Sequence, residues 1–587
     1  MLKVVKNTKL KNKKGRDLMI NKKPLFENEK GRNLQFINSF YTRPRWSNGK
    51  MTVPDSLGIV YRDEDTGEKF LDIQYQPNID FYMSYEDVEI PHHLRHISKD
   101  LVEKCTCKFN DLPLTLAKTA GDDMVKDYYD TIKVSPYKAK RKYHYLPYIF
   151  NSDMDIEDFW KGKFLDNFDS KADKLTKAYY DIEVDSVDYI GFPDENIAPC
   201  EVNAITYVNA EFMTCHTYLL RNRNNPQIEV EERRVNELIQ YMKDTLRDDF
   251  KYHIYFYDYE LDLIADFFAQ VNKDKPDFCA AWNARFDALT LINRIKQLGG
   301  DPAEIICHPD VPQELRFAYF TADDRNPKPC DKGDSFNCAS YTMYIDQLII
   351  FAALRKGQGD EESYSLNHIA KKQLGDEKLD YSDTSTIQTL AYDDYRKFVA
   401  YNIKDVFLLY EIEKKNDDFD MLYSLAKITR TRISKTMRKT VSLKNLAAKF
   451  YYDQGYIMGN NTNGRIDDDG EPASTEKFDG ALVADPALNG FNGMLINGKR
   501  SKYVYQKVID YDLSALYPSI IRAFNIDTTT QYGRLLIDGI EPTKEHDPAM
   551  GFVDKLTSGN YIRLGHEYYG LPTATELARQ LIQKQQQ

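Results

Sequence analysis

Alternating hydrophobic and polar positions predict β-strands in the first part of the chain. Between residues 35 and 150 the alternating runs are short, as at 70–75, and turn-forming residues such as Asp65-Thr66-Gly67 separate them. The pattern predicts a mostly β segment with some helix. No group of residues with evident catalytic chemistry occurs in this part of the sequence.

The pattern changes between residues 176 and 415. Strand-like runs at 178–184 and 201–208 are followed by apolar residues at helical spacing, as at 231–241. Alternation of strands and helices is typical of an α/β layer. Helical spacing then continues from 416 to about 460.

A polar loop at 459–470 separates the helical segment from a last part with both strand and helix patterns. Runs at 481–484 and 504–512 predict strands, and residues 574–584 predict an interrupted amphipathic helix. With 587 residues, 42% of them hydrophobic, the chain is long enough for several cores, and we expect about four domains.

Charge and cysteine content add limits on function and location. The net charge is −12, yet the first 23 residues carry nine Lys and Arg, which form either a solvated tail or a phosphate-binding arm. Eight scattered cysteines show no metal-binding spacing, which favours a reducing compartment. No apolar run is long enough to cross a bilayer, and no signal peptide is evident, so we expect a soluble intracellular protein.

Two acidic residues share one face of a predicted strand. Asp181 and Glu183 are two positions apart in the run 178–184, so both carboxylates point the same way and can share a divalent cation. Alone, such a pair is more often a solvated strand edge. The interpretation of this pair as a metal site therefore depends on other acids elsewhere in the α/β segment.

The α/β segment contains two further elements of this kind. Asp287 follows Asn283 and Phe286 within Trp282-Asn283-Ala284-Arg285-Phe286-Asp287, while Tyr401 and Asp405 are four positions apart in a helical run. The spacing of four places the tyrosine and the acid on one helical face.

Taken in this order, the three elements resemble the exonuclease motifs of the 3′→5′ proofreading domain of family B DNA polymerases. The resemblance implies a ribonuclease-H-like fold and two divalent metal ions, Mg²⁺ or Mn²⁺, roughly 3.5–4 Å apart. It implies that the acids hold the metals, that Tyr401 hydrogen-bonds the attacking water, and that Asn283 and Phe286 bind substrate. The four acids are Asp181, Glu183, Asp287 and Asp405. Many phage members have three residues between the Asn and the Phe-Asp, whereas this chain has two, which leaves the position of Asn283 open.

The run Asp512-Leu513-Ser514-Ala515-Leu516-Tyr517-Pro518-Ser519-Ile520-Ile521 resembles motif A of the same family. The resemblance implies that Asp512 and the Leu513 carbonyl bind metal. It also implies that Tyr517 packs under the incoming sugar and selects deoxynucleotides, and that Ser514 and Leu516 contact substrate. Gly480, in Phe478-Asp479-Gly480-Ala481, corresponds to a turn that contacts the template.

Other polymerase motifs do not follow motif A in this sequence. Gly570-Leu571-Pro572 resembles the start of the fingers, yet neither a Lys-x-x-x-Asn-Ser-x-Tyr-Gly helix nor an Asp-Thr-Asp turn is present. We therefore expect the N-terminal part of a polymerase of the tailed-phage replicative type, either one subunit of a split enzyme or a truncated chain. A second chain would supply the fingers, the remaining palm and the thumb.

The expected fold class is α+β and multi-domain, with a ribonuclease-H-like exonuclease, a mostly β N-terminal domain and a partial palm. The expected partners are primer-template DNA, single-stranded 3′ ends, deoxynucleoside triphosphates, a second polymerase subunit and a sliding clamp, in the cytoplasm of an infected bacterium. The expected segments are a basic tail at 1–34, the N-terminal domain at 35–175, the exonuclease at 176–415, a helical connection packing with the N-terminal domain at 416–475, the palm at 476–570 and the fingers start at 571–587.

Alternatives and weaker features remain open at this point. The chain could be a stand-alone exonuclease with a vestigial palm, or a non-catalytic DNA-binding subunit. The basic and aromatic stretch 137–145 could grip template or lie in solvent, and the basic residues between Arg430 and Lys444 could face a duplex or water. The histidines at 92, 93 and 96 are interpreted as ordinary surface residues, and Asp346 is interpreted as a structural residue.

Overall fold

The computed structural model describes residues 25–28, 31–47, 50–85, 96–135, 143–168, 174–222, 225–380, 389–460 and 515–523, with the backbone of five short strands beyond residue 490. The chain divides into two compact units, residues 1–475 and 476–587. Predictions for the basic tail, for strands 481–484 and 504–512 and for the last helix fall outside the described residues, as does most of 137–145.

Two antiparallel three-stranded sheets form the start of the first unit, with orders β1-β4-β5 and β8-β6-β9. The strands of this part, which include the hairpin β2-β3 and the separate strand β7, are β1 (Leu34–Thr42), β2 (Arg45–Ser47), β3 (Lys50–Val53), β4 (Ser56–Asp63), β5 (Lys69–Tyr75), β6 (Asn78–Ser84), β7 (His96–Ser98), β8 (Val102–Lys108) and β9 (Ile149–Phe150). The helices here are α1 (Leu112–Thr119), α2 (Asp122–Val134) and α3 (Ile156–Asn167).

Helix α3 supplies the aromatic centre of this part. The ring of Phe164 lies 5.1 Å from that of Phe26 and 5.5 Å from that of Phe36. Trp160, one turn earlier, donates its indole N–H to the carbonyl oxygen of Asn78 at 3.0 Å. Burying such large rings gives the sheets and the helix a common core.

A six-stranded mixed sheet, in the order β13-β12-β11-β10-β14-β17, forms the framework of residues 176–415. The strands, with the separate hairpin β15-β16, are β10 (Lys177–Val184), β11 (Val202–Asn209), β12 (Thr214–Leu220), β13 (Lys251–Tyr257), β14 (Phe278–Ala281), β15 (Ala318–Thr321), β16 (Ser335–Cys338) and β17 (Met343–Asp346). β10 is central, antiparallel to β11 and parallel to β14.

Helices cover both faces of this sheet. They are α4 (Pro226–Arg233), α5 (Val235–Thr245), α6 (Glu260–Asp274), α7 (Ala284–Gln297), α8 (Pro302–Ile306), α9 (Gln347–Leu354), α10 (Leu366–Leu374), α11 (Leu390–Asp393) and α12 (Tyr395–Asn416). α6 and α7 pack on one face through residues such as Phe267 and Leu291, and α12 packs on the other through residues such as Phe398 and Ile412. The mixed α/β pattern of the sequence is therefore present, although the predicted helix 231–241 is two helices that meet at Arg234.

The segment after α12 packs against the N-terminal strands and α3. It contains α13 (Asp418–Ile428), α14 (Ile433–Thr436), α15 (Lys439–Asp453) and β18 (Tyr456–Met458). β18 pairs antiparallel with β7, and the hydroxyl of Tyr423 donates to the carbonyl oxygen of Phe36 at 2.6 Å.

The idea that the basic residues of this segment face a duplex or solvent is wrong for three of them. Arg430 pairs with Asp166 at 2.7 Å and Lys444 with Asp153 at 2.6 Å, while Arg432 pairs with acids at the start of α3. The sequence pattern misses this arrangement because the acids lie almost 300 positions away along the chain. These cations stabilise the contact between segments and are not free to neutralise phosphates.

Lys161 gives this contact a testable pH dependence. Its side chain is 2% exposed and its ammonium group donates to the carbonyl oxygen of Thr431 at 2.8 Å. Burial lowers the pKa of Lys161 to about 7, although the charge of Asp158 opposes the shift. Between the folded value and the ordinary value of 10.5, the unfolded chain binds the extra proton, so stability rises with pH there and is lost as pH falls toward 7.

We therefore expect Lys161→Met to remove a stability slope of up to about 1.4 kcal/mol per pH unit between pH 7 and 10. The measurement is urea unfolding of both proteins at pH 7, 8 and 9. Lys163→Met, a substitution on the same helix at a partly exposed lysine, controls for general loss of a cation. Parallel stability curves for wild type and Lys161→Met would contradict the assignment.

The second unit is described more sparsely. Its elements are β19 (Leu495–Ile496), β20 (Lys499–Arg500), α16 (Leu516–Ala523), β21 (Arg534–Ile537), β22 (Asn560–Leu564) and β23 (Glu567–Leu571). β19 and β20 form a hairpin, and β21, β22 and β23 form an antiparallel sheet in that order. Among the described helices of either unit, none is long and apolar enough to cross a membrane.

Candidate active site

Three carboxylates converge beside the central strand of the six-stranded sheet. Oxygen atoms of Asp181, Glu183 and Asp405 all lie within 4.8 Å of one another. Asp181 and Glu183 project from the same face of β10, as expected for residues two positions apart in a strand. Both are partly buried, so the group lies at the rim of the domain rather than in its core.

Helix α12 places Asp405 opposite β10. The Asp394 carboxylate caps the start of the helix by accepting from the backbone N–H of Lys397 at 3.1 Å. Tyr401 and Asp405 then lie one turn apart on the face that meets the sheet, and they are 4% and 2% exposed. The i,i+4 spacing in the sequence thus brings a phenol to the carboxylate group.

Asp287 approaches the same strand from α7 but has a different contact. Its carboxylate accepts from the backbone N–H of Ile182 at 3.3 Å, and it is 3% exposed. Among the described residues, the group within 4.8 Å contains the other three acids and not Asp287. Asp287 is therefore next to the cluster, bound to the strand that carries it.

The cluster concentrates negative charge in a poorly solvated place. Burial, followed by the charge of Asp405, raises the pKa of Asp181 to about 7. Burial and the charge of Asp181 raise the pKa values of Glu183 and Asp287 well above their ordinary range. Like charges that raise each other's pKa in this way are relieved by a cation that neutralises them.

Lys378 is a member of the site that the sequence did not reveal. Its ammonium group pairs with the Asp405 carboxylate at 2.5 Å and donates to the Tyr401 hydroxyl at 3.1 Å. The charge of Asp405 raises the pKa of Lys378 above its ordinary value, although burial opposes the shift. Lys378 lies in the irregular segment after α10, where no periodic pattern indicates its position.

Asn402 is a second such residue. It is fully buried, and its amide N–H donates to the Asp181 carboxylate at 3.1 Å. The residue next to Tyr401 therefore orients the first acid of the cluster. Its place beside Tyr401 in the sequence gives the only hint of this function.

Asn283 and Phe286 lie at the start of α7, beside the acids. Asn283 is exposed and adopts a left-handed backbone conformation with φ of 62° between β14 and the helix. The ring of Phe286 lies 5.0 Å from that of Phe192, which is 77% exposed on the loop between β10 and β11. The partly buried Phe286, which precedes Asp287 in the chain, and the exposed Phe192 provide a surface on which a nucleic-acid base can stack.

The carboxylate cluster fits a divalent metal ion. Oxygen ligands from several carboxylates are the donor set that Mg²⁺ and Mn²⁺ prefer. Asp405 Oδ1 is buried and has no hydrogen-bond partner among the described residues, which leaves an oxygen available as a ligand.

Most of the expected polymerase residues fall outside the described part. These are Gly480, Asp512, Leu513 and Ser514. Leu516 and Tyr517 begin α16, and their side chains are 40% and 65% exposed.

Asp346 and His96, the weaker candidates from the sequence, make contacts that stabilise the fold. Asp346 caps α9 by accepting from the backbone N–H of Ile349 at 3.2 Å. His96 stacks on Tyr451 with ring centres 4.8 Å apart, while the histidines at 92 and 93 are outside the described residues.

Comparison with known proteins identifies the class of this domain. Residues 131–369 match the family model of the DNA polymerase family B exonuclease domain. This part of the chain is therefore similar to the exonuclease domain of the family B DNA polymerases. The matched range includes Asp181, Glu183 and Asp287, and it ends before Tyr401 and Asp405.

Relatives among characterised proteins are DNA polymerases. The chain is 24% identical to the DNA-directed DNA polymerase of Escherichia phage RB69 over 391 residues, 65% of this chain and 39% of that protein. It is 23% identical to the enzyme of Enterobacteria phage T4 over 288 residues, 48% of this chain and 28% of that protein. It is also 23% identical to the DNA polymerase delta catalytic subunit of Candida albicans over 279 residues, 46% of this chain and 24% of that protein. The matches thus span well under half of each relative.

Proposed function

We propose that the chain is a metal-dependent 3′→5′ exonuclease that proofreads for a DNA polymerase. The observation that carries the proposal is the convergence of Asp181, Glu183 and Asp405 within 4.8 Å of one another. The match to a family B exonuclease domain supports the reaction class. The substrate would be the 3′ end of a DNA strand, and the fold of this domain would be ribonuclease-H-like.

The residues of the site have separate roles in this proposal. Asp181, Glu183 and Asp405 would hold the divalent ions, with Asp287 joining them after it releases the N–H of Ile182. When bound, such ions supply an activated water and neutralise the charge that develops on the leaving 3′ oxygen. Tyr401 would orient the attacking water through its hydroxyl group, which Lys378 holds in place.

Substrate binding would use the neighbouring aromatic surface. Phe286, together with the exposed Phe192 on the facing loop, would stack on the terminal bases. Asn283 would contact the terminal nucleotide from its exposed position at the start of α7. Asn402 keeps the Asp181 carboxylate oriented toward the other two acids.

The segments of the chain are also assigned by proposal. Residues 35–175 would be an N-terminal domain, 176–415 the exonuclease and 416–475 a connection that packs with the N-terminal domain. Residues 476–570 would be part of a palm, and 571–587 the start of the fingers.

DNA synthesis is the second function proposed, and the motif A sequence favours it. Asp512 and Leu513 would bind metal, Tyr517 would pack against the incoming sugar, and Gly480 would contact the template. The partners would be primer-template DNA, deoxynucleoside triphosphates and a sliding clamp. A second palm carboxylate and a fingers helix would come from polypeptide that is not in this sequence, for example a second subunit. The competing proposal is an exonuclease with a vestigial palm.

A metal-removal experiment tests the exonuclease function. The purified chain is incubated with a 5′-labelled primer carrying a mismatched 3′ end on its template. With Mg²⁺ we expect stepwise shortening from the 3′ end, and with EDTA we expect none, because the carboxylates alone cannot activate water.

The control for direction is the same duplex labelled at the 3′ end of the primer. That label should appear as a mononucleotide at the earliest time points. Release of internal fragments, or degradation in EDTA at the Mg²⁺ rate, would contradict the proposed function.

A further inference from the structure

A cavity of about 250 Å³ lies away from the carboxylate cluster. Strand β1 of the N-terminal sheet, the hairpin β15-β16, the edge strand β17 and the start of α14 surround it. It shares none of the three clustered acids, although Ala284 at the start of α7 reaches its wall. Three segments distant in sequence therefore build one open cavity.

Buried polar atoms without partners line this cavity. Thr342 Oγ1 and Tyr344 Oη have no hydrogen-bond partner among the described residues, and these side chains are 1% and 5% exposed. The Nε atom of Arg432 is likewise buried and unbonded. Because unpaired polar groups are costly to bury, they indicate a polar occupant.

Aromatic side chains form much of the remaining wall. The ring of Phe40 lies 6.2 Å from that of Phe317, which lies 5.7 Å from that of Tyr319. Phe336 stands beside Tyr344 with ring centres 4.8 Å apart. Tyr319 is 51% exposed, so the aromatic surface continues from the cavity to its opening. Such a wall suits a flat heterocycle.

The charges around the cavity favour an anion at its edge. Arg43 and Lys332 line it, and neither makes an ion pair with another residue in the part of the chain that the structure describes. The acids of the wall contact other groups: Glu157 pairs with Arg432, Asp334 accepts from the backbone N–H of Asp323, and Asp346 caps α9. Arg43 and Lys332 are the cations of the wall that can meet a phosphate group.

We propose that this cavity binds one nucleotide, with its base among the aromatic rings and its phosphate at Arg43 and Lys332. The volume is slightly below the range of about 300–1,000 Å³ that drug-sized ligands fill, which suits a single nucleoside unit. The nucleotide is either free in solution or one unit of a DNA strand. Binding here does not require the nuclease reaction.

The test measures binding of two probes to the full chain in EDTA, where hydrolysis does not interfere. Calorimetry follows dAMP, and fluorescence anisotropy follows fluorescein-labelled (dT)₁₂. The variants are Arg43→Glu and Lys332→Glu. The matched control is Lys328→Glu, a surface lysine that pairs with Asp360 on the same loop region.

We expect each cavity variant to weaken binding about tenfold, because a charge-assisted phosphate contact becomes a repulsion. The control should stay within about twofold of wild type. Loss of dAMP binding supports a free nucleotide as ligand, and loss limited to (dT)₁₂ supports a unit of a DNA strand. If neither probe responds to Arg43→Glu or Lys332→Glu, the proposal is wrong.

A second measurement does not depend on variants that must fold. Wild-type chain is irradiated with 8-azido-dAMP in EDTA and the labelled peptides are mapped. Label within 38–43, 317–346 or 432–437, reduced by excess dAMP, supports the cavity. Label confined to other peptides overturns it. Failure of the exonuclease proposal would leave both measurements unaffected, so the two ideas are tested separately.

Discussion

Replacing Asp181 by Asn is expected to lower the rate of 3′-terminal nucleotide release by about 10³-fold, which corresponds to about 4 kcal/mol of transition-state stabilisation. The carboxylate of Asp181 lies within 4.8 Å of those of Glu183 and Asp405, so its loss removes a ligand from the proposed metal site. The measurement is single-turnover degradation of a 5′-labelled mismatched primer in Mg²⁺. Asp258→Asn, at an exposed acid of the same domain, should keep the wild-type rate.

The same variant should become more stable, not less, when metal is absent. Burial and the charge of Asp405 raise the pKa of Asp181 to about 7, which means that its ionised form is disfavoured in the folded protein above that pH. A neutral Asn removes this repulsion, so at pH 8 in EDTA we expect a higher melting temperature than for wild type. Lower activity with lower stability would indicate misfolding, and unchanged activity would exclude Asp181 from the reaction.

Local periodicity explains why part of the site could be predicted. Alternation in a strand places Asp181 and Glu183 on one face, and a spacing of four in a helix does the same for Tyr401 and Asp405. Both predictions depend on a single element, whose geometry follows from the backbone hydrogen-bond pattern. The structure adds that the two faces meet, because β10 is central in the sheet and α12 covers it.

Contacts between elements explain why the rest could not be predicted. Lys378 reaches Asp405 from an irregular segment, where no helical or strand periodicity in the sequence predicts its position. Arg432 looks like a surface cation in a helical sequence, yet it meets Glu157, which is 275 residues away. Pairing across such separations is set by how segments dock, and a single sequence carries no direct signal of it.

Asp277 is the clearest case of such a hidden contact, and its replacement should have the largest effect on stability. The residue is fully buried at the start of β14. Its carboxylate pairs with Arg62 at 2.5 Å and with Lys69 at 2.7 Å, both from the N-terminal sheet. It also accepts from the backbone N–H of Thr176 at 2.7 Å, just before β10. One carboxylate therefore joins the N-terminal strands to the strand that carries the candidate acids.

We expect Asp277→Ala to lower the free energy of unfolding by about 3–5 kcal/mol, because Arg62 and Lys69 would remain buried without an anion. Urea unfolding of the variant and wild type, followed by circular dichroism, measures the change. Asp130→Asn, at an exposed acid that pairs with the exposed Lys133, should cost less than about 1 kcal/mol.

Adding Lys69→Met to Asp277→Ala distinguishes a buried unpaired charge from simple loss of contacts. Burial already lowers the pKa of Lys69, so its ammonium group depends on Asp277 for compensation. Removing both charges should recover part of the lost stability, since an apolar side chain of similar length tolerates burial. Additive losses in the double variant would mean that the ion pair does not hold the two segments together. Recovery would show that Asp277 acts through these buried cations, and that the position of β10 depends on a residue outside the candidate active site.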